Sequence, residues 1–220
     1  MLQVEFKRDT GIEIHPIVIS SGMVLDLASR HEADVTITNV PAAERAFLRR
    51  NAPKIYRQFM WNDFVIVGPP GDPSDVAHAP SAAGAFRRIN ETYRLFMSRD
   101  DRSGTNTKER ALWRAALIVP EFNPAYLKMG QPMAALLHSA SDMRCYTLSD
   151  RATFDQLSDV LQLRVLFEGD PFLRNVYAVM LMKSPRSGEA ERFVEWLLHG
   201  RGHALLENYQ IKGKRAFHTM

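Results

Sequence analysis

A single cysteine, Cys145, is all this 220-residue chain contains, so no disulfide forms within it. It lies in the apolar segment "CYTL" and reads as a small core residue. Long apolar runs are missing too. Nothing approaches the roughly 18 residues that a membrane-crossing helix needs, which excludes direct membrane insertion through such a helix. Charge of one sign is also lacking: 28 Lys and Arg stand against 25 Asp and Glu, a net charge of +3. The basic clusters "FLRRN" and "FRRIN" fall in amphipathic segments and read as solvated helix faces. No continuous basic stripe with interleaved aromatics appears, so no nucleic-acid partner is expected. The seven histidines are scattered, and Gly200 and Gly202 break any helical pairing of His199 with His203. No metal site and no cofactor are expected. The N-terminus "MLQVEFKRDTGIEI" has no basic segment followed by an apolar stretch, so it does not read as a secretory signal.

What is present is a hydrophobic content of 45%, enough for a substantial core, in a pattern that switches between strand and helix periods. "IEIHPIVI" (Ile12 to Ile19), "ADVTIT" (Ala33 to Thr38), "RLFMS", "RCYTL" and "LRVLF" read as strands. "MVLDLASR", "AAERAFLRR", "SAAGAFRRINETY", "GQPMAALLHSA" and "EAERFVEWLLHG" read as helices. The alternation predicts α/β architecture with largely parallel sheets. Two long apolar strands stand out, Phe59 to Gly68 and Val176 to Met182, flanked by "GPPGDP" and "EGDPFLRN". A lobe inserted between two crossing strands explains their separation. The expected division is lobe 1 from residues 1–64 and 176–220, and lobe 2 from residues 65–175, with a ligand in the cleft between lobes.

The segment "SRDDRSGTNTKERALW" (98–113) places a Ser-Gly-Thr turn before a helix, with Arg99 directly after a strand. A helix amino end leaves backbone N–H groups unpaired and carries partial positive charge, both of which an oxyanion satisfies. Gly104 permits close approach, Ser103 and Thr105 add hydroxyls, and Arg99 offers a planar fork that stays charged. A plainer reading fits the same residues: a capped helix, with a box from Thr105 to Lys108 or Asn106 to Glu109, and Arg99 paired with Asp100 or Asp101. The segment by itself leaves the two open. "ISSGMVLDL" (19–27) repeats the logic with Ser20, Ser21 and Gly22, and "MGQPMAALL" offers a third turn at Gly130 and Gln131. No histidine base is evident for Ser103. Asp150 and Arg151 in "SDR" read as a helix start with hinge or rim contacts, and an enzyme is not expected.

In order along nearly the whole chain, these segments resemble the tungstate-binding proteins of ABC importers. "SRDDRSGTNTKERALW" is similar to that family's "SRGDxSGT…KE…LW", "WNDFVIVGPPGDP" to "YNDFVIVGPxxDP", "GQPM" to "GQGM", "YTLSDRAT" to "YTLTDRGT", "EGDPFLRNVYAV" to "EGDPxLxNxYxV", and "FKRDTGIEI" to "FEKETGIxV". The resemblance implies a two-lobed type II periplasmic-binding fold with crossing hinge strands. It implies a tetrahedral oxyanion, tungstate or molybdate, bound by a monomer and delivered to an ABC permease, with a periplasmic or extracellular location, or a cytoplasmic one if Met1 is the true start. By position, Arg99 is the charged anchor, Ser103, Gly104 and Thr105 donate from one lobe, and Ser21 with Ser20 from the other. Asn39, Gln131, Asp150 and Arg151 are further cleft positions.

The chain departs from the family pattern in four places. The family's first strand and its "TTTS" turn have no counterpart before "FKRDTGI". Asp100 stands for a glycine, with a carboxylate expected to repel an anion by roughly 1 kcal/mol. Asn39 stands for a histidine and Pro132 for a glycine. These departures define the alternative, an intracellular ligand-sensing or degenerate module of the same fold that does not bind tungstate.

Overall fold

The computed structural model describes residues 1–183 and 187–220. The chain divides into two compact units, Met1–Trp61 with Val176–Met220, and Asn62–Asn175. The first contains α1 (Leu2–Thr10), α2 (Ser21–Ser29), β1 (Val35–Thr38), α3 (Pro41–Leu48) and the opening half of β2 (Ile55–Gly68). The second holds the rest of β2, α4 (Ala82–Glu91), β3 (Phe96–Ser98), α5 (Gly104–Ala115), β4 (Tyr126–Lys128), α6 (Met133–Asp142), β5 (Tyr146–Asp150), α7 (Arg151–Leu157) and β6 (Arg164–Phe167). Strand β7 (Arg174–Leu181) returns the chain to the first unit. There α8 (Ser187–Leu198), α9 (Arg201–Glu207) and the short strands β8 (Gln210–Ile211), β9 (Lys214–Arg215) and β10 (His218–Thr219) complete it.

In the first unit β7 lies between β1 and β2. It runs antiparallel to β1, with Val35 opposite Leu181 and Thr38 opposite Ala178. Alternate residues of β7 serve two cores. Val179 and Leu181 join Phe6, Phe59, Phe193 and Trp196, whereas Met180 and, just past the strand, Met182 join Leu25, Ala28 and Phe47. A strand covered on both faces has no polar side, which is why "VYAVMLM" is an unbroken apolar run.

The second unit repeats this plan. Along β2, Phe64 and Ile66 face a core with Phe86, Phe96 and Trp113, and Val65 and Val67 face one with Met97, Leu136 and Cys145. Burial pushes the Cys145 thiol up to about 11, consistent with a packing role. The "GPPGDP" turn is pinned by Tyr146, whose hydroxyl donates to Asp72 (3.0 Å) and accepts from the Ser74 amide (2.9 Å). Gly68 passes so close that a Cβ there would lie 2.5 Å from the Tyr146 ring. Asn175 donates to Asn62 at 2.7 Å, and both are buried.

Three expectations are corrected. The sheets are mixed: β3 is parallel to β4 and β5, but β2 is antiparallel to β5 and β6, and β1 to β7. The long strands β2 and β7 each carry the chain from one unit to the other, with β7 running opposite to β1, and β2 opposite to β5, β6 and β10. Ile12 to Ile19 is not a strand, because among the described residues no neighbour offers its backbone a ladder, and Pro16 lacks a donor. The cap of α5 falls on Ser103, whose Oγ accepts from the Asn106 amide at 3.2 Å, rather than on a box starting at Thr105 or Asn106. No helix among the described residues is long and apolar enough to cross a membrane.

Candidate functional site

In the second unit Arg99 emerges from the end of β3. The loop that follows turns sharply, with Asp100 at φ 47 and Arg102 at φ 60. Left-handed backbone suits glycine, and aspartate tolerates it better than most side chains, which explains how Asp100 occupies this position. Asp100 is exposed. The carboxylate that meets Arg99 belongs instead to Asp101, which accepts from Nη2 of Arg99 through Oδ2 and from the Ser103 amide (3.1 Å) through Oδ1. The expected repulsion from Asp100 is therefore misplaced: Asp101 is the anionic group set on these donors. The Arg99 side chain is 17% exposed, and its Nε is buried with no hydrogen-bond partner. Ser103, Gly104 and Thr105 are buried at the amino end of α5.

Beneath Arg99 lies a network that sequence reasoning missed. The Glu109 carboxylate, 2% exposed, accepts from Ser98 Oγ (2.7 Å), Tyr126 Oη (2.7 Å) and Trp113 Nε1 (3.2 Å). Burial raises its pKa to about 7, against the opposing pull of those three hydrogen bonds. The next residue back, Lys108, donates to the carbonyls of Phe172 (2.6 Å) and Arg174 (3.0 Å), and burial lowers its pKa. The "KE" pair is thus structural: one side chain ties α5 to the "EGDPFLR" segment and the other ties it to β3 and β4. The signal was available, because Glu109 shares a helical face with Leu112 and Trp113 at i+3 and i+4.

Other residues read as cleft positions are engaged within the second unit. Gln131 accepts from Ser139 Oγ (3.2 Å). Asp150 caps α7, accepting from the Thr153 amide (2.9 Å) and hydroxyl (2.8 Å). Arg151 grips Asp63 with two hydrogen bonds, 2.8 Å from Nε and 2.6 Å from Nη2, and also reaches Glu168. Those carboxylates drive its pKa still higher.

The first unit has a parallel arrangement. Ser20 stands at the amino end of α2 but makes no side-chain cap, and its Oγ is buried without a partner. Ser21 Oγ donates to Asn39 Oδ1 at 2.7 Å, which brings together two residues singled out separately in the sequence. Asn39 follows β1 directly. There the buried Glu44 accepts from Thr38 Oγ1 (2.8 Å), the Val40 amide (2.9 Å) and Tyr56 Oη (3.1 Å). Glu44 shares its helical face with Phe47 and Leu48, the same buried-acid signal as Glu109.

Each unit therefore presents hydroxyls and the first amides of a helix, and the second adds a guanidinium. Donor sets of this kind bind oxyanions. The Ser103 hydroxyl is used as a cap acceptor for the Asn106 amide. Among the described residues no cluster of His, Cys, Asp and Glu is placed to hold a metal ion.

Comparison with known proteins follows the same line. The PBP superfamily domain matches residues 1–201. The chain is 34% identical over 212 residues to the tungstate-binding protein TupA of Peptoclostridium acidaminophilum, covering 93% of this chain and 74% of that one. Among solved structures it is similar to the tungstate-binding protein TupA of Desulfovibrio alaskensis G20, with TM-score 0.83, 30% identity, and coverage of 100% of this chain and 91% of that one. It is equally similar to the tungstate ABC transporter protein of Geobacter sulfurreducens, with TM-score 0.83, 30% identity, and coverage of 94% and 90%.

Proposed function

Because the chain belongs to the PBP superfamily, among the tungstate-binding proteins of ABC importers and with their type II α/β architecture, we propose that it binds a tetrahedral oxyanion, tungstate or molybdate, for delivery to an ABC permease. The observation that carries this reading is the buried, unpartnered Nε of Arg99 beside the amino end of α5. A buried N–H without an acceptor costs about 1–3 kcal/mol, and an anion supplies the acceptor. The unpartnered Oγ of Ser20 at the amino end of α2 supports a second donor set on the other unit, with Ser21 beside it. Ser103, Gly104 and Thr105 complete the proposed donors.

Asp101 has a defined part in this reading. Its carboxylate neutralises Arg99 in the absence of ligand and holds Nη2, which leaves the Nε edge to the anion. The protein is proposed to act in the periplasm or outside the cell, as a binder rather than a catalyst. The sensing or degenerate alternative is not favoured, since the tungstate-binding relatives are similar over most of the chain.

Calorimetry with tungstate, molybdate, sulfate and phosphate tests the proposal. Tungstate and molybdate should bind. Arg99→Ala should lose about 10- to 100-fold in affinity, because a charge-assisted hydrogen bond contributes about 1.5–3 kcal/mol. Undiminished affinity in that variant would overturn the site. Failure of the unmodified protein to bind any of the four anions would overturn the function.

A further inference from the structure

The second unit holds a cavity of about 750 Å³ at the amino end of β3, the opposite end of that strand from Arg99. Three arginines line it, Arg94, Arg144 and Arg164, and among the described residues no Asp or Glu does. All three are exposed, and among the described residues none of their side chains has a hydrogen bond or an ion pair. Other arginines of this unit do find carboxylates: Arg88 meets Asp75, Arg110 meets Glu121 and Arg151 meets Asp63.

Sheet order explains the gathering. Across this unit the strands run β6–β2–β5–β3. Arg164 opens β6, opposite Gly68 of β2. Arg144 and Arg94 each stand two residues ahead of β5 and β3, where the Tyr146 amide donates to the Leu95 carbonyl at 2.9 Å. Neighbouring strands lie about 4.8 Å apart, so Arg94 and Arg144 are one spacing apart and Arg164 is two further, a row of about 14 Å. Strand β2 ends where the other three begin, and its exit turn "GPPGDP" forms one wall. Prolines there have no N–H to offer a ligand. The turn is fixed by the Tyr146 hydroxyl through Asp72 and the Ser74 amide. The floor is apolar and buried, with Leu161, Leu163 and the Tyr146 ring.

We propose that this cavity docks an extended acidic peptide segment of a partner protein, with its carboxylates on the three arginines and its apolar side chains on the floor. Charge selects the acid, since planar guanidinium forks match carboxylates and these three have none of their own. Spacing selects the extended chain. Every second side chain of such a segment lies on one face, so acids at positions i, i+2 and i+4 cover about 13 Å, close to the length of the arginine row. The side chains between them point the other way, toward the floor. A single tetrahedral anion reaches no further than the adjacent pair, Arg94 and Arg144. An exposed cationic rim around a buried apolar floor is interface anatomy, where arginine is enriched, whereas small-ligand pockets enclose most of what they bind. The fixed proline wall lowers the ordering cost of docking.

This inference does not depend on oxyanion binding, because the cavity and its lining lie at the far end of β3. Fluorescence anisotropy of a labelled peptide, acetyl-Glu-Leu-Glu-Leu-Glu-amide, tests it on the 220-residue chain. The peptide should bind with Kd below about 100 μM at low salt and more weakly as salt rises. Glutamine in place of each glutamate should weaken it at least about tenfold. Arg94→Ala, Arg144→Ala and Arg164→Ala should each cost about 5- to 10-fold, and the triple variant should lose binding with no fall in melting temperature. Arg49→Ala with Arg50→Ala, an exposed basic pair of the first unit, should leave affinity unchanged. Tungstate, citrate and inorganic phosphate at roughly tenfold excess and matched ionic strength should not displace the peptide. The proposal is overturned if the unmodified chain does not bind, if the glutamine peptide or the triple variant binds as well, or if the Arg49 and Arg50 pair matters as much. Displacement by any of the three small anions also overturns it, and assigns the cavity to a small ligand.

Discussion

Glu109 accepts a 2.7 Å hydrogen bond from Ser98, the residue directly before Arg99. Because Glu109 lies in α5, this bond fixes the end of β3 against the helix whose amino end faces the arginine. The proton that Glu109 retains makes stability depend on pH. Its pKa rises from 4.5 to about 7 on folding, so between these values the folded state holds a proton that the unfolded state has released. Stability from this group is full below about pH 4.5 and is lost as pH rises through 7, by at most about 1.4 kcal/mol per pH unit. Thermal melts from pH 4.5 to 7.5 should show that decline, and Glu109→Gln should flatten it.

Ser20→Ala separates a ligand donor from a structural hydroxyl. The Oγ is buried and unpartnered, so its removal relieves a desolvation cost. The melting temperature should hold or rise, while tungstate affinity falls about tenfold, the effect of one hydrogen bond of roughly 1–1.5 kcal/mol. A fall in melting temperature would assign Ser20 to the scaffold.

Asp63→Ala should destabilise the protein by about 1–3 kcal/mol, because it leaves the part-buried Arg151 fork with only Glu168. Denaturant unfolding followed by fluorescence would measure the loss. High salt should narrow the gap between the variant and the unmodified protein only slightly, since both side chains of the pair are about three-quarters buried.

Gly68→Ala should cost about 1–3 kcal/mol through overpacking. The new methyl would lie 2.5 Å from the Tyr146 ring, which cannot swing away while its hydroxyl is held by Asp72 and Ser74. Tyr146→Phe frees the ring from those bonds, so its effect and that of Gly68→Ala should be less than additive in the double variant.

Apolar periodicity made the helices and the long buried strands legible, since "VYAVMLM" and "FVIVG" have no other stable use than a strand covered on both faces. It failed at Ile12 to Ile19, where local β propensity was right for a strand but no partner supplies the ladder. Strand direction was illegible too, because the antiparallel pairing of β2 with β5 joins residues far apart in the chain. At the candidate site, Arg99 and the serine turns announced themselves by residue type. Whether Arg99 would meet Asp100 or Asp101 did not, because that depends on the left-handed turn at Asp100 that sends the second carboxylate inward. Many of the segments that carried the family resemblance are scaffold: Asn62 with Asn175, Asp63 with Arg151, Lys108 with the Phe172 carbonyl.

The hydrogen bond between Asn62 and Asn175 also sets how the gene can be cut. It places the first and last residues of the second unit side by side, and everything between them is one uninterrupted stretch of sequence. Adjacent ends on an unbroken stretch are what expression of a unit alone, or end-to-end joining by a short linker, requires, so this is the segment on which to test independent folding. The first unit, assembled from two distant segments, offers no such shortcut.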